Sequence, residues 1–96
     1  MRPGELLQSV FRVIDAAAES LPGAEWYGFG SFFSHSPCFS DVDILVVCAT
    51  QEQGLAIHDL AHELCSMWPI DLLILTEAEA AETSFVEKQG CVRLNR

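Results

Sequence analysis

Two aspartates, Asp41 and Asp43, open the most continuously apolar run of the chain, DVDILVVCA at residues 41–49. Alternate residues of a strand share a face, so 41, 43, 45 and 47 lie together and the two carboxylates stand roughly 7 Å apart along it. Charges at the mouth of a buried strand are costly unless something positive faces them. Magnesium suits such hard oxygens, because it keeps waters and substrate phosphates in its own shell. Asp71, at the start of the run IDLLILT (residues 70–76), adds a third carboxylate where the two strands are neighbours. Asp-x-Asp alone also describes solvated strand ends. The balance shifts with Gly30-Ser31, which follows a short aromatic run: glycine lets backbone approach a phosphate, and serine adds an amide and a hydroxyl donor.

These residues need elements to hold them. Leu6, Leu7, Val10, Val13, Ile14, Ala17 and Leu21 recur at helical spacing, which predicts an amphipathic helix over residues 4–20 stopped by Pro22 and Gly23. Residues 24–29 (AEWYGF) read as a strand running into a turn at Gly30, with a loop from Gly30 to Ser40. The β-branched run from Asp41 reads as a central strand. Residues 52–67 place Ala56, Leu60, Leu64 and Met67 on one helical stripe ended by Pro69, and IDLLILT follows as a strand. Thr76 with Glu79 forms a capping box that opens a last helix to Lys88, with Gly90 as its stop. The expected fold class is α/β, a small mixed sheet flanked by helices, in a single domain spanning residues 1–96.

Gly30-Ser31, nine intervening residues, then Asp41-Val42-Asp43 and a hydrophobic strand resemble the signature of the polymerase-beta-type nucleotidyltransferase superfamily, especially its minimal nucleotidyltransferases. The resemblance implies the nucleotidyltransferase fold and magnesium-dependent transfer of a nucleoside monophosphate, AMP above all, from a nucleoside triphosphate such as ATP to a hydroxyl acceptor. By the same resemblance Gly30 and Ser31 hold the triphosphate, Asp41 and Asp43 bind two magnesium or manganese ions, and Asp71 completes the metal and catalytic set by orienting or deprotonating the acceptor. Minimal members often work beside a helical HEPN-type protein as its antitoxin, so the acceptor or partner is expected to be a protein. The family's small, basic and glycine residues after Gly-Ser are replaced here by Phe32, Phe33, Ser34 and His35, and residues 13–87 contain no Lys or Arg. Metal, amides and His35 are left to meet the triphosphate. The alternative is a non-catalytic module that keeps the fold and masks a partner with its acidic surface.

The formal net charge is −9 with five basic residues, so no stripe exists to neutralise a nucleic-acid backbone unaided. The longest apolar run, Ile44 to Ala49, is too short to cross a bilayer, and the start lacks a signal-peptide core, so a cytoplasmic protein is expected. Cys38, Cys48, Cys65 and Cys91 lack paired spacing and read as reduced thiols. His58 and His62 share a helical spacing with zinc ligands but have no evident third ligand, and beside Asp59 and Glu63 they read as a solvated face. A His35/Cys38 nucleophilic pair has nothing but loop proximity to support it. Of the aromatic residues, Phe32 and Phe33 lie on the loop side and could stack a base. The C-terminal segment TSFVEKQGCVRLNR is expected to dock on the domain.

Overall fold

A computed structural model describes residues 3–34 and 41–95. Helix α1 (Pro3–Ser20) starts on a proline, whose missing N–H is no loss in a first turn, and buries Leu6, Val10, Ile14 and Ala17. The chain turns through Gly23 at φ +95° into strand β1 (Glu25–Phe29). Gly30–Phe33 forms a short helix, α2, where a loop is expected from the sequence. Strand β2 (Val42–Cys48), helices α3 (Gln51–Leu60) and α4 (His62–Met67), strand β3 (Ile70–Thr76), helices α5 (Glu77–Thr83) and α6 (Phe85–Lys88), and strand β4 (Val92–Arg93) follow.

The strands form one mixed sheet in the order β3-β2-β1-β4, with β2 and β3 parallel and the other pairs antiparallel. Side-chain parity splits β2 between two faces. Val42, Ile44, Val46 and Cys48 join Trp26, the buried stripe of α1, Ile57 and Leu64 in the main core. Ile44 and Val46 are wholly enclosed, and burial of side chains this size contributes about 1.5–3 kcal/mol each. Asp43, Leu45 and Val47 point to the opposite face, where α5 packs on β2 and β3 and Phe85 of α6 meets Phe29 edge-on at 5.2 Å.

Two helices expected to be continuous are broken. The 52–67 helix interrupts at Ala61 (φ −89°, ψ 0°), and its buried stripe is Gly54, Ile57, Ala61 and Leu64. The expected stripe of Ala56, Leu60, Leu64 and Met67 is largely corrected: only Leu64 is buried, while Leu60 and Met67 face outward. Glycine decides the rotation. A Cβ at Gly54 would lie 3.1 Å from Ile74 Cγ2 and 3.5 Å from Cys48 Sγ, so this is where α3 comes closest to the sheet. The last helix has the expected capping box, Thr76 N–H donating to Glu79 Oε1 at 2.9 Å and Glu79 N–H to Thr76 Oγ1 at 3.2 Å, but it breaks at Ser84 in the left-handed region (φ 52°).

The C-terminal segment does dock on the domain, and it does so as a strand. Val92 and Arg93 pair with Gly28 and Tyr27, and Leu94 N–H donates to Trp26 O at 2.7 Å. Asn95 extends the connection: its Nδ2 donates to Ala24 O, and its Oδ1 accepts from Trp26 N–H, both at 2.9 Å. Asn95→Ala would remove the partners of two part-buried backbone groups, which costs about 1–3 kcal/mol. A fall in the urea midpoint with an unchanged m-value is the expected result.

Candidate functional site

Pairing register brings the aspartates together. On one side of β2, Asp43 pairs with Phe29, the residue before Gly30; on the other it pairs with Asp71 of β3. Neighbouring strands lie about 4.8 Å apart, so the two side chains rise side by side on one face. Val42 N–H donates to Pro69 O at 2.9 Å and anchors the start of this parallel pair. Asp41 sits one residue before β2 with its side chain exposed; Asp71 is exposed and Asp43 half-buried. The adjacency that parity alone could not supply is therefore present.

Gly30 belongs to the same cluster. Its φ of +78° lies in the region that favours glycine, and a Cβ placed there would collide with Asp43 Oδ2. The carboxylate of Asp43 thus rests directly over the glycine. Ser31 follows in the first turn of α2, which no side chain caps, and its carbonyl accepts a hydrogen bond from Ser34 Oγ at 3.2 Å.

Burial, then the neighbouring Asp71, then Asp41 push the Asp43 carboxyl above the usual carboxylate range. No ion pair among the described residues relieves this. Arg93 is occupied at the far end of β1, 3.4 Å from Glu25 Oε2 and over the ring of Tyr27, and the other pair joins His58 to Asp59. Nor are any three His, Cys, Asp or Glu side chains among the described residues gathered closely enough to hold an ion. Carboxylate oxygens are the ligand type a hard divalent cation takes, and Asp43, half-buried beside Asp71, is the one here without a compensating charge among the described residues.

Other candidates resolve differently. His35 and Cys38 lie outside the described residues. His58 lies in the last turn of α3 and His62 begins α4, on either side of the break at Ala61, and both are exposed. Cys48, Cys65 and Cys91 are free thiols, and burial pushes all three above the usual thiol range, against a nucleophilic role. Phe33 folds back so that its ring covers Gly28, and it packs edge-on with Phe32 at 5.0 Å. Sequence reasoning missed that β4 carries the Gln89–Gly90 turn to the Gly30 end of β1. A strand of two residues has no periodicity to read; Gly90 at the end of a capped helix is its one local signal.

No protein-family model matches the sequence, and no curated protein matches it. Among solved structures, the chain is similar to a crystal structure provisionally described as that of a nucleotidyltransferase, with a TM-score of 0.66 and 20% identity over 91% of this chain and 98% of the other. The four-stranded mixed sheet with flanking helices is thus a nucleotidyltransferase fold. Among the described residues no helix is long and apolar enough to cross a membrane.

Proposed function

We propose that the chain transfers a nucleoside monophosphate, AMP in the first instance, from a nucleoside triphosphate to a hydroxyl acceptor on a partner protein. The observation that carries this reading is the placement of Asp43 over Gly30 and in register with Asp71. Asp41 and Asp43, with Asp71, would hold magnesium or manganese, which when bound neutralises phosphate charge and polarises the phosphorus toward attack. Gly30 and Ser31 offer backbone amides and a hydroxyl to the phosphates, with His35 beside them in sequence. Asp71 is exposed at the open edge of the sheet, where an acceptor hydroxyl can approach and donate its proton to the carboxylate. The acceptor oxygen forms a bond to the α-phosphorus, the bond from that phosphorus to the bridging oxygen breaks, and pyrophosphate leaves with the bonding electrons.

A second reading has its own support. Residues 13–87 contain no Lys or Arg, so the chain offers the triphosphate no fixed cation from that span. A non-catalytic module that masks a basic helical partner of the HEPN kind, in the cytoplasm, accounts for the −9 charge equally well. Calorimetric titration of ATP with and without magnesium separates the two. Magnesium-dependent binding is expected, and no heat with or without metal would overturn the transferase reading in favour of the masking one.

A further inference from the structure

A cavity of about 330 Å³ opens beside Gly30, between the end of α2 and the Gln89–Gly90 turn. Its size is at the lower end of the roughly 300–1,000 Å³ typical of small-ligand pockets. Its described lining is Phe29, Phe33, Ser34, Gln89, Gly90 and Val92 as well as Gly30, and none of these described residues is charged. An uncharged wall is poorly suited to phosphate and well suited to a flat heterocycle.

The geometry supplies both a stacking face and a reading group. Phe33 is held over Gly28, where any side chain would displace the ring, so its position is set by the strand rather than by a flexible loop. Val92 pairs with Gly28 between β1 and β4 and remains 51% exposed, an apolar surface beside the ring in the same cavity. The Gln89 side chain is exposed and has no hydrogen-bond partner among the described residues. Its amide presents a donor and an acceptor together, the combination that pairs with the edge of adenine.

Building on the nucleotidyl-transfer reading, we propose that this cavity is the nucleoside subsite, with the base stacked on Phe33 against Val92 and read by Gln89, and the phosphates passing over Gly30 toward Asp43. The C-terminal strand would then be part of the substrate site.

Calorimetry with the whole chain tests this, comparing Mg-ATP with magnesium tripolyphosphate, which lacks a nucleoside. Stacking of one base on an aromatic ring predicts ATP binding about tenfold or more tighter than tripolyphosphate. Val92→Trp, which fills the cavity from an exposed strand position, should abolish that excess and leave tripolyphosphate affinity unchanged; Gln89→Ala should weaken ATP several-fold. In the unaltered chain, NMR contacts between the Val92 methyls and the base protons check the same point without any variant. Equal affinity for the two ligands, or absence of those contacts in the ATP complex, would overturn the subsite and leave nucleotidyl transfer standing. Binding of neither ligand would overturn both.

Discussion

Asp43→Asn is expected to abolish metal-dependent nucleotide binding while making the metal-free protein more stable. The two effects have one cause. In the fold, burial and the charges of Asp71 and Asp41 raise the Asp43 carboxyl above its ordinary range. A carboxyl raised in this way binds its proton more tightly folded than unfolded, so its ionisation destabilises the fold. The penalty is absent below the ordinary aspartate range, grows as pH rises through the window up to the raised value, and is fully present at neutral pH. Asparagine keeps the shape and removes the charge. For a half-buried group partly screened by water the gain is modest, roughly 0.5–1 kcal/mol, or about 2–8 °C in Tm for a domain of this size. The difference between the two proteins should vanish in acid.

Magnesium reverses that order. A ligand at a hundred times its Kd stabilises the folded state by about 2.7 kcal/mol, which exceeds the charge relief. Thermal melts with and without the metal should therefore cross: Asp43→Asn above the unaltered protein without magnesium, below it with magnesium. Nucleotidyl transfer should fall by about a hundredfold or more, the scale seen when one preorganised charge-stabilising group is lost. A variant less stable than the parent in both conditions would mean that Asp43 is a structural residue and not a metal ligand.

How much of this can be read from residue order depends on the range of the interaction. The α1 stripe, the β2 run and the Thr76–Glu79 capping box are local patterns, and each stands where periodicity or spacing places it. Parity predicts Asp41 and Asp43 on one face, and in the structure Asp41 lies one residue ahead of β2 while Asp43 lies within it. That Asp71 reaches the same face depends on β3 pairing in parallel next to β2, a relation between residues 28 positions apart that no local pattern specifies. The errors have the same origin. Leu60 and Met67 extend a helical stripe as well as Ile57 does, yet packing follows Gly54, where a missing side chain lets α3 approach Ile74. β4 is held by Asn95 and by pairing with β1, contacts between residues more than 60 positions apart that no local pattern specifies.

Gly30→Ala should show whether the glycine serves the backbone or the carboxylate. At φ +78° an alanine carries a backbone penalty of about 1–2 kcal/mol wherever it occurs. Gly23, at φ +95° with no atom within 4 Å of the place a Cβ would take, measures that penalty alone. At Gly30 the new methyl also meets Asp43 Oδ2, the far end of a short side chain that can rotate away. Rotation is cheap in stability and expensive in function, because it moves the carboxylate from the place where Gly30, Asp43 and Asp71 converge. Gly30→Ala and Gly23→Ala are thus expected to lose similar stability by urea unfolding, whereas magnesium-dependent ATP binding is lost only in the first. In an Asp43→Ala background the stability costs of the two alanines should become equal, since the atom that Gly30 accommodates is gone. A Gly30→Ala protein that binds Mg-ATP normally would show that the glycine is there for its turn, and that the carboxylate above it has no part in holding the nucleotide.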